Sequence, residues 1–184
     1  MKELFNATKE RMEKSLVSLN HEFNSIRAGR ASAASLDRIS VDYYGAPTPI
    51  NQMAAISVTD GRTLVIQPWD KTSLDSIAKA IQASDLGINP QNDGTVIRLN
   101  FPQPTEERRK ELVKEASKKA EDAKVAIRSI RRDSMDKLKA MKKDNTITED
   151  DQRDGEKQLQ DITDKYVKEV DGMYAKKEKE ILEI

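Results

Sequence analysis

The sequence predicts an α+β fold in which an elongated, antiparallel three-helix bundle carries a small inserted domain. Three observations lead to this prediction: heptad-like apolar spacing at both ends of the chain, β-branched alternation in its middle, and a composition poor in core residues. The 184 residues are 35% charged, 36% apolar and only 4% aromatic. This content of large apolar side chains is low for a chain that must enclose one globular core, so an elongated helical shape is favoured.

The first predicted helix lies within residues 1–30. Its apolar residues recur at heptad spacing: Phe5, Met12, Leu16, Leu19, Phe23 and Ile26. This pattern is typical of one seam of a coiled-coil-like helix.

Two further helices are predicted between residues 105 and 184. Thr105 follows Pro104 as a capping residue, and a second capping threonine, Thr148, follows a break at Asp144–Ile147. The second helix has its seam at Val113, Ala116, Ala120, Ala123, Ile127 and Ile130. The third has its seam at Leu159, Ile162, Tyr166, Val170, Met173 and Ile181. With the first helix, these two form the predicted bundle.

Residues 31–104 have a different character and contain all six prolines of the chain. Alternation at Ile39, Val41 and Tyr43 predicts a strand, and 55–58 with 63–66 flank a turn as a hairpin. A short helix with Leu74, Ile77, Ala78 and Ile81 is expected to end at Gly87, before a last strand over 96–101. The predicted domains are therefore 1–30 with 105–184, and the insertion 31–104.

Both ends of the insertion are expected to join the bundle at one point. Two short linkers would then let the insertion swing as a body. The predicted hinge consists of Gly29, Arg30, Ala31, Pro102 and Pro104.

The charges are segregated, although 32 basic and 32 acidic residues cancel over the chain. Residues 105–145 hold 14 basic and 9 acidic residues, a net of +5, whereas 146–184 hold 7 and 12, a net of −5. Such helices attract when antiparallel and leave the outward face of the basic helix free for an anionic partner.

Several kinds of chemistry are disfavoured by the sequence. Without cysteine there is no disulfide, thiolate zinc site or cysteine nucleophile, and neither glycine-rich phosphate-binding motif occurs. The single histidine, His21, falls on the polar side of the first helix, and the acids after Thr148 lack the spacing of a calcium loop. We therefore expect no enzymatic activity, no metal and no cofactor.

With no signal peptide or spanning segment in the sequence, a cytoplasmic protein is expected.

A cluster of arginines is the positive signal. Arg128, Arg131 and Arg132 share one face of the basic helix, with Lys124 one turn earlier. They could be solvated and paired with acids of the neighbouring helix. Arginine rather than lysine, however, is the residue that binds phosphate with a planar fork, and the RNA backbone is a plausible target. Because paired stacking aromatics are absent, structured RNA fits better than single strands.

Five motifs in order carry a family resemblance: Ile26–Ala31, Tyr43–Pro49, Ser84–Pro90, Pro104–Arg109 and Arg128–Asp133. Together they resemble the bacterial ribosome recycling factor family over the whole chain. The resemblance implies an L-shaped molecule with a β/α/β inserted domain and an outline similar to transfer RNA. Ala28, where threonine is expected in some members, is an example of a departure from the family pattern.

The resemblance also implies a function without enzymatic activity. Such a factor binds the post-termination 70S ribosome and, with elongation factor G and GTP, splits it into subunits and releases mRNA and tRNA. The GTPase is the partner. Independently of the resemblance, a bundle formed within one chain predicts a monomer. By this resemblance Arg109, Arg128, Arg131 and Arg132 are the residues expected to bind large-subunit ribosomal RNA.

Two other classes of protein remain open from the residues alone. One is a coiled-coil adaptor whose heptads pair with another chain, which predicts a dimer. The other is a general RNA chaperone, which would bind unrelated RNAs as tightly as it binds ribosomes.

Overall fold

A computed structural model describes residues 1–26 and 30–183. The described chain divides into two compact units, one formed by 1–26 with 105–183 and the other by 30–104. The first is helical, and the second contains the two sheets that the described residues form. The predicted α+β class is confirmed.

The elements follow one another along the chain in a simple order. They are α1 (Lys2–Ser25), β1 (Ser40–Tyr43), β2 (Ala46–Pro49), α2 (Ile50–Met53), β3 (Ala54–Thr59), β4 (Thr63–Pro68), α3 (Leu74–Ala83), β5 (Gln91–Asn92), β6 (Ile97–Asn100), α4 (Glu106–Lys143) and α5 (Glu149–Leu182). Two short 3-10 turns, Ala33–Leu36 and Lys71–Ser73, precede β1 and α3.

The helical unit consists of α1, α4 and α5, which bury the predicted seams against one another. Buried seam residues common to the prediction and the structure are Met12, Leu16, Leu19, Phe23, Ile26, Ala116, Ala120, Ile127, Ile130, Leu159, Tyr166, Val170 and Ile181. The prediction was wrong in detail for Phe5, which is only half-buried, while Thr8 one turn later is buried. Likewise Leu112 is buried in place of the half-buried Val113.

The remaining differences along the seams have one physical cause. Ala123, Ile162 and Met173 are half-buried because they lie at the flank of a seam rather than at its centre. A helix that packs on two neighbours needs a wider apolar face than a strict heptad provides, and flanking residues then remain partly in water.

The junction between α4 and α5 is fixed by its caps. Asn145 adopts a left-handed conformation with φ +56° after the end of α4. The Asn145 amide donates to the Lys142 carbonyl oxygen, and the Thr146 amide donates to that of Met141, each at 2.9 Å. These two bonds form a Schellman motif, which satisfies carbonyl groups that the helix end leaves free.

Close contact between α4 and α5 depends on a glycine. Gly155 is buried in α5 beside the fully buried Leu138 of α4. A Cβ atom at Gly155 would lie 2.8 Å from Cδ2 of Leu138. The two helices can therefore approach closely at this level because position 155 carries no side chain.

The second unit contains two antiparallel sheets. One pairs β1 with β2, and the other has the strand order β3-β4-β6-β5. Both sheets and α3 contribute to one core, which includes Val41, Leu64, Ile66, Ile77, Ile81, Ile97 and Leu99. The predicted first strand, hairpin, helix and last strand are all present.

The predicted end of the short helix was wrong. α3 ends at Ala83, where the next residue, Ser84, turns extended and its hydroxyl donates to the Ile81 carbonyl oxygen at 2.6 Å. Gly87 instead provides a left-handed turn, with φ +73°, farther along the chain. A serine that bonds back to the last turn competes with continuation of the helix, so the helix stops before the glycine.

Both ends of the insertion are tied to its own hairpin turn. The Ala31 amide donates to the Gly61 carbonyl oxygen at 3.0 Å, and the Phe101 amide donates to that of Arg62 at 2.8 Å. Of the predicted hinge residues, Arg30 and Pro102 are exposed, Ala31 is buried and Pro104 is half-buried. Gly29 lies outside the described residues.

Candidate nucleic-acid interface

The arginine cluster is positioned by the apolar seam of α4. Ile127 is fully buried and Ile130 nearly so, which fixes which face of the helix points inward. At 3.6 residues per turn, Arg128 and Arg132 are neighbours on a face turned away from that seam. Both are exposed, whereas Arg131, which is closer to the seam, is half-buried.

Arg128 and Arg132 form the free part of the cluster. Within residues 1–26 and 30–183, neither guanidinium has a hydrogen bond or an ion pair with the protein. Asp136 is one turn beyond Arg132, yet the two do not form a salt bridge. Two adjacent guanidinium groups without acidic partners can each offer a planar fork to a phosphate.

Arg131 is anchored on the neighbouring helix. Its Nη1 donates to Oε1 of Gln160 in α5, and Gln160 Nε2 donates to Oδ1 of Asp164 at 2.7 Å. The Nε atom of Arg131 is buried and has no partner in the described part of the chain. Arg131 therefore contributes positive charge to the cluster while its side chain also contributes to packing between α4 and α5.

Lys124 does not belong to the free basic face, and its inclusion in the sequence-based cluster was wrong. Its Nζ lies 2.5 Å from Oδ1 of Asp171 in α5 and 3.4 Å from Oε1 of Glu121. The hydrogen bond with Asp171 is the main cause of a raised pKa of Lys124, and Glu121 adds to it. This lysine is therefore a bridge between two helices.

Arg109 is remote from the other three arginines. It lies in the first turn of α4, about 28 Å along the helix axis from Arg128 at 1.5 Å per residue. About five complete turns separate Arg109 from Ile127, so it lies on the seam side of the helix. It is half-buried and its Nε is buried without a partner among the described residues. The four predicted residues thus form a cluster of three and one separate arginine.

Sequence reasoning overlooked an apolar member of the exposed face. Val125 is 60% exposed and lies three residues before Arg128 and seven before Arg132, on the same side of α4. Its position off the seam was the available signal. Such a side chain offers apolar contact beside the two exposed guanidinium groups.

The last residue of the motif Arg128–Asp133 forms a salt bridge with α1. Asp133 accepts from Nη2 of Arg11 in α1 at 2.9 Å. The acid that follows Arg132 is thereby turned toward α1. Half of each partner's side chain remains in water, so the pair contributes at most about 1 kcal/mol to stability.

Other kinds of site are not formed by the described residues. No group of three His, Asp or Glu residues is arranged to hold a metal ion there. None of the described helices has a stretch apolar and long enough to cross a bilayer. His21 is exposed on α1.

Comparison with known proteins identifies the family. The family model described as ribosome recycling factor matches residues 19–182. The chain belongs to the ribosome recycling factor family. The ribosome-recycling factor of Acetivibrio thermocellus is 62% identical over 175 residues, which cover 95% of this chain and 96% of that protein. That of Caldicellulosiruptor bescii is 55% identical over 184 residues and the full length of both chains.

Solved structures of ribosome recycling factors also match over nearly the full length. A solution structure of the factor has a TM-score of 0.69 and 37% identity, covering 100% of this chain and 97% of the other. A second match, with a TM-score of 0.58 and 46% identity, covers 98% of both chains. It is the T. thermophilus factor in models with E. coli elongation factor G bound to the E. coli post-termination complex. The resemblance stated from the sequence motifs is confirmed, and with it ribosome recycling as the general function.

Proposed function

We propose that this protein binds the post-termination 70S ribosome and, with elongation factor G and GTP, splits it into subunits, so that mRNA and tRNA are released. Membership of the ribosome recycling factor family carries this proposal. It is supported by the similar T. thermophilus factor in the models with elongation factor G and the post-termination complex. The protein itself acts without enzymatic activity, in the cytoplasm, and GTP is hydrolysed by its partner.

We assign the contact with large-subunit ribosomal RNA to Arg128 and Arg132, with Arg131 beside them and Arg109 as a separate contact. The exposed pair of unpartnered guanidinium groups on α4 supports this assignment. Phosphate contacts fix orientation without reading sequence, which suits a factor that must fit one RNA surface. Val125, exposed on the same face of α4, would add an apolar contact with the same RNA.

The mechanism proposed is mechanical. The helical unit binds ribosomal RNA while elongation factor G pushes on the hinged assembly, and the linkers at Gly29, Arg30, Pro102 and Pro104 absorb the movement. Ala31 is buried in the core of the insertion, and the Ala31 and Phe101 amides both donate to its hairpin turn, so we place the bending before Ala31 and after Phe101. Bending at such a double linker moves a domain without disturbing its core.

The adaptor alternative has little support from the helical unit. A dimerising coiled coil needs an exposed apolar seam, but the seams of α1, α4 and α5 are buried against one another. The monomer expected for the bundle is testable by sedimentation equilibrium.

The decisive experiment follows splitting of post-termination ribosomes by light scattering. Scattering should fall when the protein, elongation factor G and GTP are all present, and should stay constant when any one is left out. A fall without elongation factor G, or no fall with all three, contradicts the proposed function. An unrelated structured RNA added in excess should not compete, whereas a general RNA chaperone would be sequestered by it.

A further inference from the structure

Two large aromatic side chains of the second unit are exposed to solvent. Tyr44 is 84% exposed and Trp69, the single tryptophan of the chain, is 70% exposed. Aromatic residues make up only 4% of the sequence. The exposure of two of them is therefore not explained by an excess of aromatic residues over what the core can hold. Exposed aromatic groups that lie together are typical of recognition sites.

These aromatics border a small cleft. It has a volume of about 210 Å³ and is lined by Tyr43, Thr48, Gln52, Met53, Trp69 and Asp70. Tyr44 lies beside it, with its ring centroid 4.6 Å from that of Tyr43 and the two planes at 74°. Sites for small-molecule ligands usually have about 300 to 1,000 Å³, so this cleft has the size for one protruding side chain.

The backbone at Tyr44 is held in an unfavourable conformation. Tyr44 and Gly45 have φ values of +51° and +81° and form the tight turn between β1 and β2. The first position of such a turn favours Asn or Asp, and a bulky residue is strained there. Because the Tyr44 ring is exposed, core packing does not account for a tyrosine at this position. Strain of this kind is commonly retained where a side chain has a function.

Asp70 places a carboxylate at the edge of the cleft. Its Oδ1 accepts hydrogen bonds from the amide and hydroxyl of Thr72 at 3.0 and 2.7 Å. Its Oδ2 has only long contacts with the hydroxyls of Tyr43 and Tyr44, at 3.5 and 3.4 Å. The donors of Thr72 are the main cause of a lowered pKa of Asp70, whose carboxyl group is ionised at neutral pH. One oxygen is therefore fixed and the other can accept a further strong donor.

We propose that this cleft binds an arginine side chain presented by a partner protein. The guanidinium would donate to Oδ2 of Asp70 and lie against the rings of Tyr43, Tyr44 and Trp69. This combines a charge-assisted hydrogen bond with cation–π contact, and arginine is the side chain that makes both with a planar group.

Charge decides between arginine and other occupants. Residues 31–104 hold 5 basic and 7 acidic residues, and one of the acidic residues, Asp70, places at the cleft a negative charge that repels RNA phosphate. An apolar peptide would leave the Asp70 carboxylate desolvated without a partner. A lysine would form the ion pair but would not stack on the rings.

The test uses the full-length protein without ribosomes, so that its outcome is independent of the proposed recycling function. N-acetyl-arginine amide is titrated against N-acetyl-citrulline amide, its neutral isostere. Fluorescence of the single tryptophan and the NMR shift of the Thr72 amide report occupancy. We expect saturable shifts with the arginine probe and none with citrulline.

Two variants give distinct expected results. Asp70→Asn keeps the cap on Thr72, since Asn also caps well, but should weaken arginine binding by at least about tenfold. Tyr44→Asn should weaken it about threefold through loss of one ring, while the melting temperature stays equal or rises because Asn suits the turn. The matched control is Asp42→Asn, which removes the same charge from the opposite face of β1 and should leave binding unchanged.

Three results overturn the proposal. The first is a lack of charge specificity, seen either as equal binding of citrulline or as an Asp42→Asn loss as large as that of Asp70→Asn. The second is a lowered melting temperature of Tyr44→Asn, which would make its ring a packing group. The third is a short single-stranded RNA that shifts the same signals and binds Asp70→Asn more tightly than the natural protein.

Discussion

At the scale of single residues, a buried polar pair connects α1 to α4. Thr8 and Ser134 are 1% and 2% exposed, and their hydroxyl oxygens lie 2.7 Å apart. The Thr8 hydroxyl donates its proton to the Leu4 carbonyl oxygen, also at 2.7 Å. Since a hydroxyl has one proton, Ser134 must be the donor between the two.

This assignment predicts a non-additive pair of substitutions. Thr8→Val removes the acceptor of a buried donor and should cost about 1 to 3 kcal/mol of unfolding free energy. Combining Thr8→Val with Ser134→Ala should cost less than the two single changes added together, because no donor is then left unsatisfied. Urea denaturation of the four proteins measures this. Strict additivity would mean that the hydroxyls do not interact.

Residue exposure could be predicted from the sequence only where periodicity determines it. Arg128 and Arg132 lie off the 127 and 130 seam positions, and they are exposed as that spacing implies. Pairing with an acid of the neighbouring helix was one of the two readings of the basic cluster, but the sequence could not identify Asp171 as the partner of Lys124, because that depends on how the two helices pack. The exposed Tyr44 was also missed, since a tyrosine beside a strand pattern predicts packing rather than a turn position.

At the scale of elements, the start of α5 depends on a capping box. The Thr148 hydroxyl accepts from the Asp151 amide at 3.1 Å, and Asp151 accepts from the Thr148 amide at 2.9 Å. Thr148→Ala should lower the unfolding free energy by about 1 kcal/mol, and Thr148→Ser should largely retain it. Thermal unfolding of both variants checks this, and equal losses would exclude the hydroxyl as the cause.

The same cap predicts a dependence on pH. Hydrogen bonds from Thr148 lower the pKa of Asp151 below its ordinary value of 3.8. A depressed folded-state pKa stabilises the fold above the unfolded-state pKa, and this stability is lost as pH falls through the folded-state pKa. The difference in unfolding free energy between the natural protein and Asp151→Ala should therefore be constant near neutrality and shrink in acid. A difference that grows on acidification would contradict the role of the carboxylate.

Ile127 is one of the fully buried residues in the seam of α4. Its truncation to alanine should cost about 2 to 4 kcal/mol by leaving a cavity. Val125 on the exposed face is the matched control, and Val125→Ala should change melting little. A small effect at Ile127 would mean that the helices can close over the space.

Elements were predictable where they are long and periodic. The three bundle helices and the hairpin of β3 and β4 satisfy that condition. β2 was not predicted because Pro47 and Pro49 disfavour a strand, although an edge strand tolerates them. α2 and β5 have four and two residues, which is too short for a helical or strand periodicity to be recognised in the sequence.

At the scale of the whole molecule, the proposed mechanism requires the two units to reorient about their linkers. Residual dipolar couplings measured in solution should need separate alignment tensors for the helical unit and for residues 30–104. The linkers are short, so the cores of both units should each fit one tensor well. One common tensor for all couplings would contradict the hinge.

The charge distribution supplies the last prediction. Arg128→Ala with Arg132→Ala removes two exposed, unpartnered charges and should leave melting nearly unchanged. If each holds a phosphate, each loss should weaken ribosome binding by about 1 to 3 kcal/mol, and the dependence of affinity on salt should become less steep as fewer counterions are released. Equilibrium binding to ribosomes at several salt concentrations measures both effects.

The control must remove the same charge elsewhere on the helical unit. A pair at Lys176 and Lys177 is unsuitable, because Lys177 is buried and lies 3.4 Å from Glu180, so its loss would also disturb packing. Lys168→Ala with Lys176→Ala is the better control, since both residues are exposed on α5. Equal losses from the two pairs would indicate attraction to the ribosome by net charge alone. A loss confined to Arg128 and Arg132, with a reduced salt slope, would locate the RNA contact on that face of α4.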